Sequence, residues 1–338
     1  MKGSTTSLPV VFGAMTIGDS GVDGIRVSDL AEANRMLDVF QLHGHSEVDT
    51  ARLYGRGSTE KYLADAKWKD RNLKMGTKLY PNARTRSAGK LSYTLQAADV
   101  RQGLMDSLEA LGTTKLDLWY LHGPDRSTPL EETLREVDAL YREGYFDHFG
   151  ISNYMSWEVA AICEICQRHG WIKPTVYQGV YNALHRAIEP ELMRCLRHYG
   201  ISLYSFQPLA GGFLTSRYKR GMSDTDYVPG SRFDPSHLQG KLHHVRYVND
   251  AYFDALEGIR AAAAKHQLTE AECALRWLSH HSTMSKEKGD KIIIGASSAA
   301  QLEQNLADLE KGPLPDEVLE AVEKGWLRVK GVVPQYYH

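Results

Sequence analysis

The sequence of 338 residues has almost no net charge and no long apolar run. Its 40 Lys and Arg residues nearly balance its 42 Asp and Glu residues, for a formal net charge of −2, so it lacks the basic excess of a nucleic-acid-binding protein. No segment approaches the roughly 18–20 apolar residues that cross a bilayer. The first residues also lack the charged-then-apolar pattern of a signal peptide. We therefore expect a cytoplasmic protein that binds neither nucleic acid nor membrane.

Cysteine is also scarce, and several familiar binding motifs are missing. Four cysteines in a chain of this length do not make a disulfide framework and suit a reducing compartment. Cys163 and Cys166 have the spacing of a redox or metal pair, but they lie in a predicted helix without a matching second pair, which favours core packing. There is no HExxH pattern, no G-x-G-x-x-G and no P-loop. These absences argue against a metal site, a Rossmann domain and a nucleoside triphosphatase.

What the sequence does contain is an alternation of short apolar runs with longer amphipathic segments. Short apolar runs bounded by turn residues are typical of strands that are buried on both faces. The eight predicted strands are Val10–Met15, Glu47–Ala51, Lys74–Leu79, Asp117–His122, His148–Asn153, Thr175–Asn182, Ser202–Leu209 and Lys291–Ala296.

Helical spacing of apolar residues occurs in the segments between these strands. The clearest predicted helices are Asp29–His43, Asp99–Leu111, Leu130–Arg142, Trp157–His169 and Arg186–Tyr199. Repeated strand–helix alternation indicates a parallel sheet with helices outside it, and eight units favour closure over an open sheet. We predict an α/β protein with a (β/α)8 TIM barrel that spans residues 1–338 as one domain.

One long polar segment interrupts the alternation after the seventh strand. Residues Leu214–Leu242 are rich in Gly, Pro, Asp and Ser. Because a long loop without secondary structure is unusual in a compact domain, it is often a functional loop or lid. We predict such a loop here.

Four polar residues follow or end neighbouring strands of the predicted barrel. They are Asp49, Tyr54, Lys78 and His122. Each alone has a common structural explanation: a cap or surface charge, loop packing, a solvated lysine, and a buried core histidine. Active sites of this fold lie at the C-terminal ends of the strands, however, and all four belong to that rim. Together they indicate a catalytic site.

The chemistry that these residues suit is the reduction of a carbonyl group, which needs a hydride on carbon and a proton on oxygen. Tyr54 is a candidate proton donor with an ordinary pKa of about 10, and a nearby Lys78 would lower that pKa by about 1–3 units. Asp49 would pair with Lys78 and keep it charged. His122 would donate a hydrogen bond to the carbonyl oxygen and orient the substrate.

These four residues lie in the phrases DTARLYG, GTK and YLHGPD, which resemble the catalytic tetrad of the aldo-keto reductases. Further matching phrases are GISNY, VYQGVYN, PLAGGFLT and GASSAAQLEQN, so the resemblance covers nearly the whole chain in the family's order. The phrases SNYMSWEVAAICEIC and LRWLSHHS resemble the aflatoxin-aldehyde-reductase branch. The resemblance implies reduction of reactive aldehydes, dialdehydes or short semialdehydes.

The resemblance also implies that NADPH/NADP+ lies across the strand ends. Ser152, Asn153 and Gln178 match residues that bind the nicotinamide carboxamide, and Phe206 matches the aromatic residue that stacks on the ring. The other implied cofactor residues are Asp49, Gln207, Pro208, Leu209, Gly211, Gly212, Arg217, Arg232, Ser297, Ser298, Gln301, Gln304 and Asn305. The last five open a predicted helix, where amide groups favour an anion, although the serines there also suit ordinary helix capping.

The implied substrate residues are Met15, His122, Arg246 and His338. Arg246 matches an arginine that meets acidic substrates in this branch. The resemblance also places the C-terminal tail near the active site. His338 stands where the branch usually has a C-terminal arginine, and a histidine is fully charged only below about pH 6.5. This departure argues against a preference for acidic aldehydes. The partners implied are a small-molecule carbonyl substrate and, as in many branch members, a second copy of the chain in a homodimer.

Two other functions are open at the level of sequence. Channel β-subunits share the fold and retain the cofactor, and the long loop invites a regulatory role with little catalysis. A barrel hydrolase using acidic pairs is the third possibility, but it leaves Lys78 and Phe206 without roles. NADPH-dependent reduction of aldehydes and ketones accounts for the most residues.

Overall fold

The computed structural model describes residues 5–83 and 91–338. Its eight strands are all parallel, and each pairs with the next along the chain until β8 pairs with β1 and closes the barrel. They are β1 (Val10–Gly13), β2 (Glu47–Asp49), β3 (Lys74–Leu79), β4 (Leu116–Leu121), β5 (Phe146–Ser152), β6 (Val176–Val180), β7 (Ser202–Phe206) and β8 (Lys291–Ile294). The predicted (β/α)8 barrel is confirmed, with all eight strands.

Helices surround the barrel. Those between strands lead from the C-terminal end of one strand to the start of the next, and the last two follow β8. They are α1 (Leu30–Leu42), α2 (Ser58–Asp65), α3 (Ala97–Ala110), α4 (Leu130–Arg142), α5 (Ser156–His169), α6 (Leu192–Tyr199), α7 (Leu238–Tyr247), α8 (Asp250–Lys265), α9 (Glu270–His280), α10 (Ala299–Leu309) and α11 (Asp316–Val329). Within the described residues, no helix is both long and apolar enough to cross a membrane.

Two apolar clusters lie on opposite faces of the barrel sheet. They are separate because successive side chains along each strand point alternately into and out of the barrel. Trp119 and Leu121 of β4 belong to the large cluster between barrel and helices. Leu118 and Tyr120 belong to the smaller cluster inside the barrel, which also contains residues of β1, β6, β7 and β8. A glycine in β5 makes room for one of these interior rings, since a Cβ on Gly150 would overlap Tyr120. Side chains therefore fill the interior of the barrel, up to the C-terminal ends of the strands.

One predicted helix begins later than expected. The segment Arg186–Tyr199 is helical only from Leu192. Pro190 disfavours helical geometry in the residue before it, and the preceding residues form turns instead. Arg186, in these turns, stacks at 4.1 Å on the ring of Trp277.

The long segment after β7 is more ordered than its composition predicts. It contains a short 3-10 turn at Asp224–Asp226, and α7 already begins within it at Leu238. Aromatic side chains anchor it, with the rings of Tyr218 and Phe233 4.4 Å apart. The predicted long loop is confirmed over residues 214–237, but it is anchored to the barrel, because buried aromatic packing offsets the loss of chain entropy. The segment nevertheless borders the cleft described next, as a functional loop would.

Candidate active site

Three of the four predicted residues meet in a buried hydrogen-bonded chain at the C-terminal ends of β2 and β3. The Lys78 ammonium donates to Asp49 Oδ2 at 2.7 Å and to the carbonyl oxygen of Thr50 at 2.7 Å. Its Nζ also lies 3.4 Å from the Tyr54 hydroxyl. Gln178, from β6, donates its Nε2 to Asp49 Oδ1 at 2.8 Å, so both carboxylate oxygens are held.

Lys78 is wholly buried, and its protonation depends on its neighbours. Burial lowers the pKa of Lys78, but Asp49 and Tyr54 together raise it above its ordinary value. The ammonium is therefore charged at neutral pH, as the sequence predicts. Burial raises the pKa of Asp49, against the opposing effect of Lys78.

The predicted fall in the pKa of Tyr54 is not found. Burial raises the pKa of the phenol more than the Lys78 charge lowers it. The sequence-based argument considered only the charge, whereas removal of the hydroxyl from water penalises the phenolate. Tyr54 is therefore protonated across the neutral range, as a proton donor must be.

His122, directly after β4, completes the group. Its ring lies edge-on to Tyr54, with centroids 5.7 Å apart. Burial, followed by the charge of Lys78, lowers the pKa of His122 well below its ordinary value, so the imidazole is neutral at pH 7. Its Nδ1 is buried and has no hydrogen-bond partner among the described residues. A neutral ring donates one hydrogen bond and accepts another.

Asp49 and Tyr54 line a cleft of about 400 Å³, and the buried Lys78 contacts both of them from behind. That volume is within the usual range of small-molecule sites. Thirteen of the predicted cofactor residues line it, namely Asp49, Asn153, Gln178, Phe206, Gln207, Pro208, Leu209, Gly211, Gly212, Arg217, Arg232, Ser297 and Gln301. The structure thus brings residues from most of the strand ends to one cavity.

Four predicted cofactor residues do not line the cleft. The Ser152 hydroxyl accepts from Asn153 Nδ2 at 3.0 Å, and Gln304 donates to Asp308 at 3.0 Å. The other two are Ser298 and Asn305. Asn305 is buried, and its Nδ2 has no partner in the described part of the chain.

The start of α10 is already occupied by groups of the protein. Ser298 caps the helix by accepting from the backbone N–H of Gln301 at 3.2 Å, which confirms the capping interpretation. Gln301 Oε1 accepts in turn from the Ser297 N–H at 2.8 Å. A carboxylate of α1 also reaches this turn, since Glu32 accepts from the Ala299 N–H at 2.7 Å. An anion-binding role for this helix start stays a prediction.

The four predicted substrate residues lie along the same cleft: Met15, His122, Arg246 and His338. Arg246 contacts Gln207 Oε1 at 3.5 Å and has no carboxylate partner among residues 5–83 and 91–338. Burial, then the charges of Arg246 and Arg126, lowers the pKa of His338. The histidine is therefore uncharged at neutral pH, whereas the arginine usual at this position would carry a positive charge.

Several residues in or next to the cleft were not predicted from the sequence. Tyr80 lies 5.5 Å, between ring centroids, from His122 and 6.4 Å from His338. Its position two residues after Lys78, on the same side of the chain, was a usable signal. Tyr336 and Tyr337 line the cleft through the C-terminal tail, and α7 adds several more side chains, which no local pattern placed there.

The sequence also matches those of known proteins. Residues 9–326 match the family model described as the aldo/keto reductase family, and the chain belongs to that family. It is therefore an oxidoreductase of carbonyl compounds, in a family that uses nicotinamide cofactors. Among residues 5–83 and 91–338, no group of three or more His, Cys, Asp or Glu side chains could hold a metal ion.

Similar curated proteins cover almost the full length. The chain is 53% identical to the aldo-keto reductase pigE of Monascus ruber over 335 residues, 98% of each chain. It is 40% identical to aflatoxin B1 aldehyde reductase member 2 of Mus musculus, over 97% of this chain and 87% of that protein. It is 38% identical to aldo-keto reductase family 7 member A3 of Homo sapiens, over 97% and 96% of the two chains. The resemblance to the aflatoxin-aldehyde-reductase branch is thus confirmed.

Proposed function

We propose that the protein reduces aldehydes and ketones to alcohols with NADPH, and that Tyr54 donates the proton to the carbonyl oxygen. The observation that carries the proposal is the placement of a protonated phenol, 3.4 Å from a charged lysine, at the floor of the cleft. Asp49 also contacts this lysine and lines the cleft, but its two oxygens accept hydrogen bonds from Lys78 and Gln178. Tyr54 is therefore the acid that the site offers.

Lys78 makes proton loss by Tyr54 less costly. As the proton leaves, negative charge develops on the phenol oxygen next to the ammonium. Two opposite charges about 4 Å apart attract by about 4 kcal/mol at an effective dielectric of about 20. Asp49 holds the ammonium in place with its 2.7 Å hydrogen bond. The lysine thus stabilises the product state of the proton transfer without becoming a proton donor itself.

His122 is positioned to orient the substrate. It is neutral, so a ring N–H donates a hydrogen bond and adds no charge beside Lys78. A donor aimed at the carbonyl oxygen aligns it with the Tyr54 hydroxyl and stabilises charge as it develops. Both side chains line the same cleft, and their rings lie edge to face with centroids 5.7 Å apart.

The cleft suits NADPH in several independent respects. When bound, the reduced nicotinamide supplies the hydride. Asn153 and Gln178 offer amide groups at the strand ends, and Phe206 offers an aromatic face. Gly211 has a left-handed backbone, with φ of 72°, and a Cβ there would overlap His243. Arg217 and Arg232 line the cleft and have no carboxylate partner among the described residues, so they are available to phosphate groups.

The substrate class follows from the relatives. One of those compared is named an aflatoxin B1 aldehyde reductase, and we extend to this chain the reduction of reactive aldehydes, dialdehydes and semialdehydes. Because His338 is uncharged, we expect uncharged aldehydes to be better substrates than acidic semialdehydes.

The test is Tyr54→Phe, which removes only the hydroxyl. We expect reduction of an activated benzaldehyde to fall by about 10²–10⁴-fold, while NADPH binding, followed by fluorescence titration, changes little. Tyr204→Phe, a buried tyrosine in the opposite half of the barrel interior, is the matched control and retains turnover. Retained turnover in Tyr54→Phe would eliminate this residue as the acid.

An assay of the unmodified protein distinguishes a catalytic from a regulatory function. NADPH oxidation across a panel of aldehydes and ketones is expected to reveal turnover. Tight NADPH binding together with silence across the panel would instead favour a cofactor-binding regulatory subunit.

A further inference from the structure

A second buried charge pair lies beside the catalytic chain, outside the cleft. The side chain of Glu60, in the first turn of α2, has no exposed surface and forms an ion pair with Arg52, whose side chain is 7% exposed. Arg52 belongs to the loop that follows β2 and carries Tyr54. Neither residue lines the cleft, so neither contacts substrate or cofactor there.

The Glu60 carboxylate connects four separate segments of the chain. One carboxylate oxygen forms the ion pair with the guanidinium of Arg52. The other accepts from the Thr77 hydroxyl of β3 at 2.7 Å, and Ser107 of α3 adds a further hydrogen bond. The guanidinium fits so closely under the loop that a Cβ on Gly57 would overlap it. The loop, α2, β3 and α3 are thus joined through one carboxylate.

The partners of Glu60 are next to the catalytic residues along the chain. Arg52 precedes Tyr54 by two residues, and Thr77 directly precedes Lys78. The Arg52 backbone N–H also donates to the Lys78 carbonyl oxygen at 3.0 Å. Because side chains alternate along a strand, Thr77 points out of the barrel to Glu60 while Lys78 points in to Asp49 and Tyr54. Glu60 therefore holds the backbones that carry both partners of the Tyr54–Lys78 contact.

Stability alone is a weak reason for this pair. Burying two charges costs so much desolvation that apolar residues of similar volume are often as stable or more so. Burial indeed raises the pKa of Glu60, although Arg52 lowers it. A buried network does, however, fix the relative positions of the groups that it joins.

We propose that Glu60 is a positioning residue for the reaction: through Arg52 and Thr77 it sets the distance between the Tyr54 hydroxyl and the Lys78 ammonium. This inference rests on the proposed role of Tyr54. It predicts that loss of the Glu60 charge reduces proton transfer and leaves the cleft able to bind its ligands.

The test compares Glu60→Gln with Asp290→Asn. Asp290 is equally buried and is also paired with an arginine, since Arg197 meets it at 2.5 Å, but it precedes β8 at the opposite end of the barrel. For Glu60→Gln we expect kcat to fall about 10–100-fold, with KM and the Kd for NADPH within twofold of the unmodified protein. For Asp290→Asn we expect a lower Tm and kcat within twofold.

Two outcomes overturn the proposal. One is a kcat within twofold in Glu60→Gln, and the other is an equal fall in kcat in both variants, which would mark a general effect of lost stability. If the unmodified protein reduces no aldehyde, the proposed function itself fails, and this result is distinct from either outcome.

Thr77 provides a milder pair of variants in case Glu60→Gln does not fold. Thr77→Val keeps the shape but removes the hydroxyl, whereas Thr77→Ser keeps the hydroxyl. We expect kcat to fall several-fold in Thr77→Val, with unchanged KM, and to be restored in Thr77→Ser. Equal kcat in the two variants contradicts the proposal.

Discussion

The two ends of the barrel both bury charged groups, but they use them differently. At the C-terminal ends of the strands, the buried Lys78 pairs with Asp49 and contacts Tyr54, and the latter two residues line an open cleft. At the N-terminal end, Asp290 accepts from Arg197 and from the Leu203 and Ser285 backbone N–H groups. The first set leaves the Tyr54 hydroxyl facing the cavity, and the second directs its hydrogen bonds to the protein.

We infer from this difference that the C-terminal end of the barrel serves catalysis and the N-terminal end stabilises the fold. Asp290 joins the starts of β7 and β8 to α6, and nearby Lys291 pairs with Glu47 across the barrel interior. A closed network of this kind has no group left for a ligand. At the cleft, in contrast, Lys78 contacts the Tyr54 hydroxyl, and we propose that the proton of this hydroxyl goes to a substrate. On this proposal, buried charged groups support the fold where all their hydrogen-bonding positions are filled by the protein, and serve catalysis where one position faces a ligand.

The largest expected difference between the two ends comes from removal of one cation from each. Lys78→Met removes the charge that stabilises the developing phenolate, and we expect kcat to fall by about 10²–10⁴-fold. Arg197→Met leaves Asp290 unpaired, which should lower the free energy of unfolding by about 3–5 kcal/mol with little change in kcat. Steady-state kinetics and urea unfolding of both variants check this. Comparable kinetic losses in the two variants would contradict the division of roles.

A smaller change is expected at the outer part of the cleft. His338→Arg introduces a permanent cation beside Arg246, and we expect kcat/KM for succinic semialdehyde to rise about tenfold, equivalent to about 1.4 kcal/mol. An uncharged benzaldehyde is the control substrate and should be affected much less. Because the pKa of His338 is lowered, the advantage of the variant should persist at neutral pH and shrink only as acid charges the native histidine. No gain for the semialdehyde would refute the role of the tail.

The smallest effect is expected at the end of α1, away from the cleft. Although burial lowers the pKa of His43, its hydrogen bonds to Glu310 and Glu303 raise it above the ordinary value. The stabilisation is therefore complete below the ordinary pKa of histidine and is lost as pH rises through the raised pKa. His43→Gln should flatten this dependence by less than about 1 kcal/mol, without changing kcat. Urea unfolding at pH 6 and pH 8 measures it, and an unchanged slope would argue against the pairing.

The sequence predicted the barrel well because its signals are local. Eight apolar runs identified eight strands, and Leu130–Arg142 matches α4 exactly in its bounds. Gly170 and Gly200, directly after α5 and α6, adopt the left-handed conformation in which many helices end. The aromatic anchoring of the segment after β7 was missed, since its composition resembles that of an unstructured loop and its packing partners are distant.

The candidate site residues could likewise be predicted from the sequence, because the residues that end the strands of a parallel barrel lie at the same edge of the barrel. The tertiary structure alone decided how far burial outweighs the Lys78 charge in setting the pKa of Tyr54. It alone placed Glu60 under the loop of Tyr54, and it left His338 neutral in the cleft. These properties depend on desolvation and on contacts between distant segments, and neither follows from the order of residues until the chain has closed into a barrel.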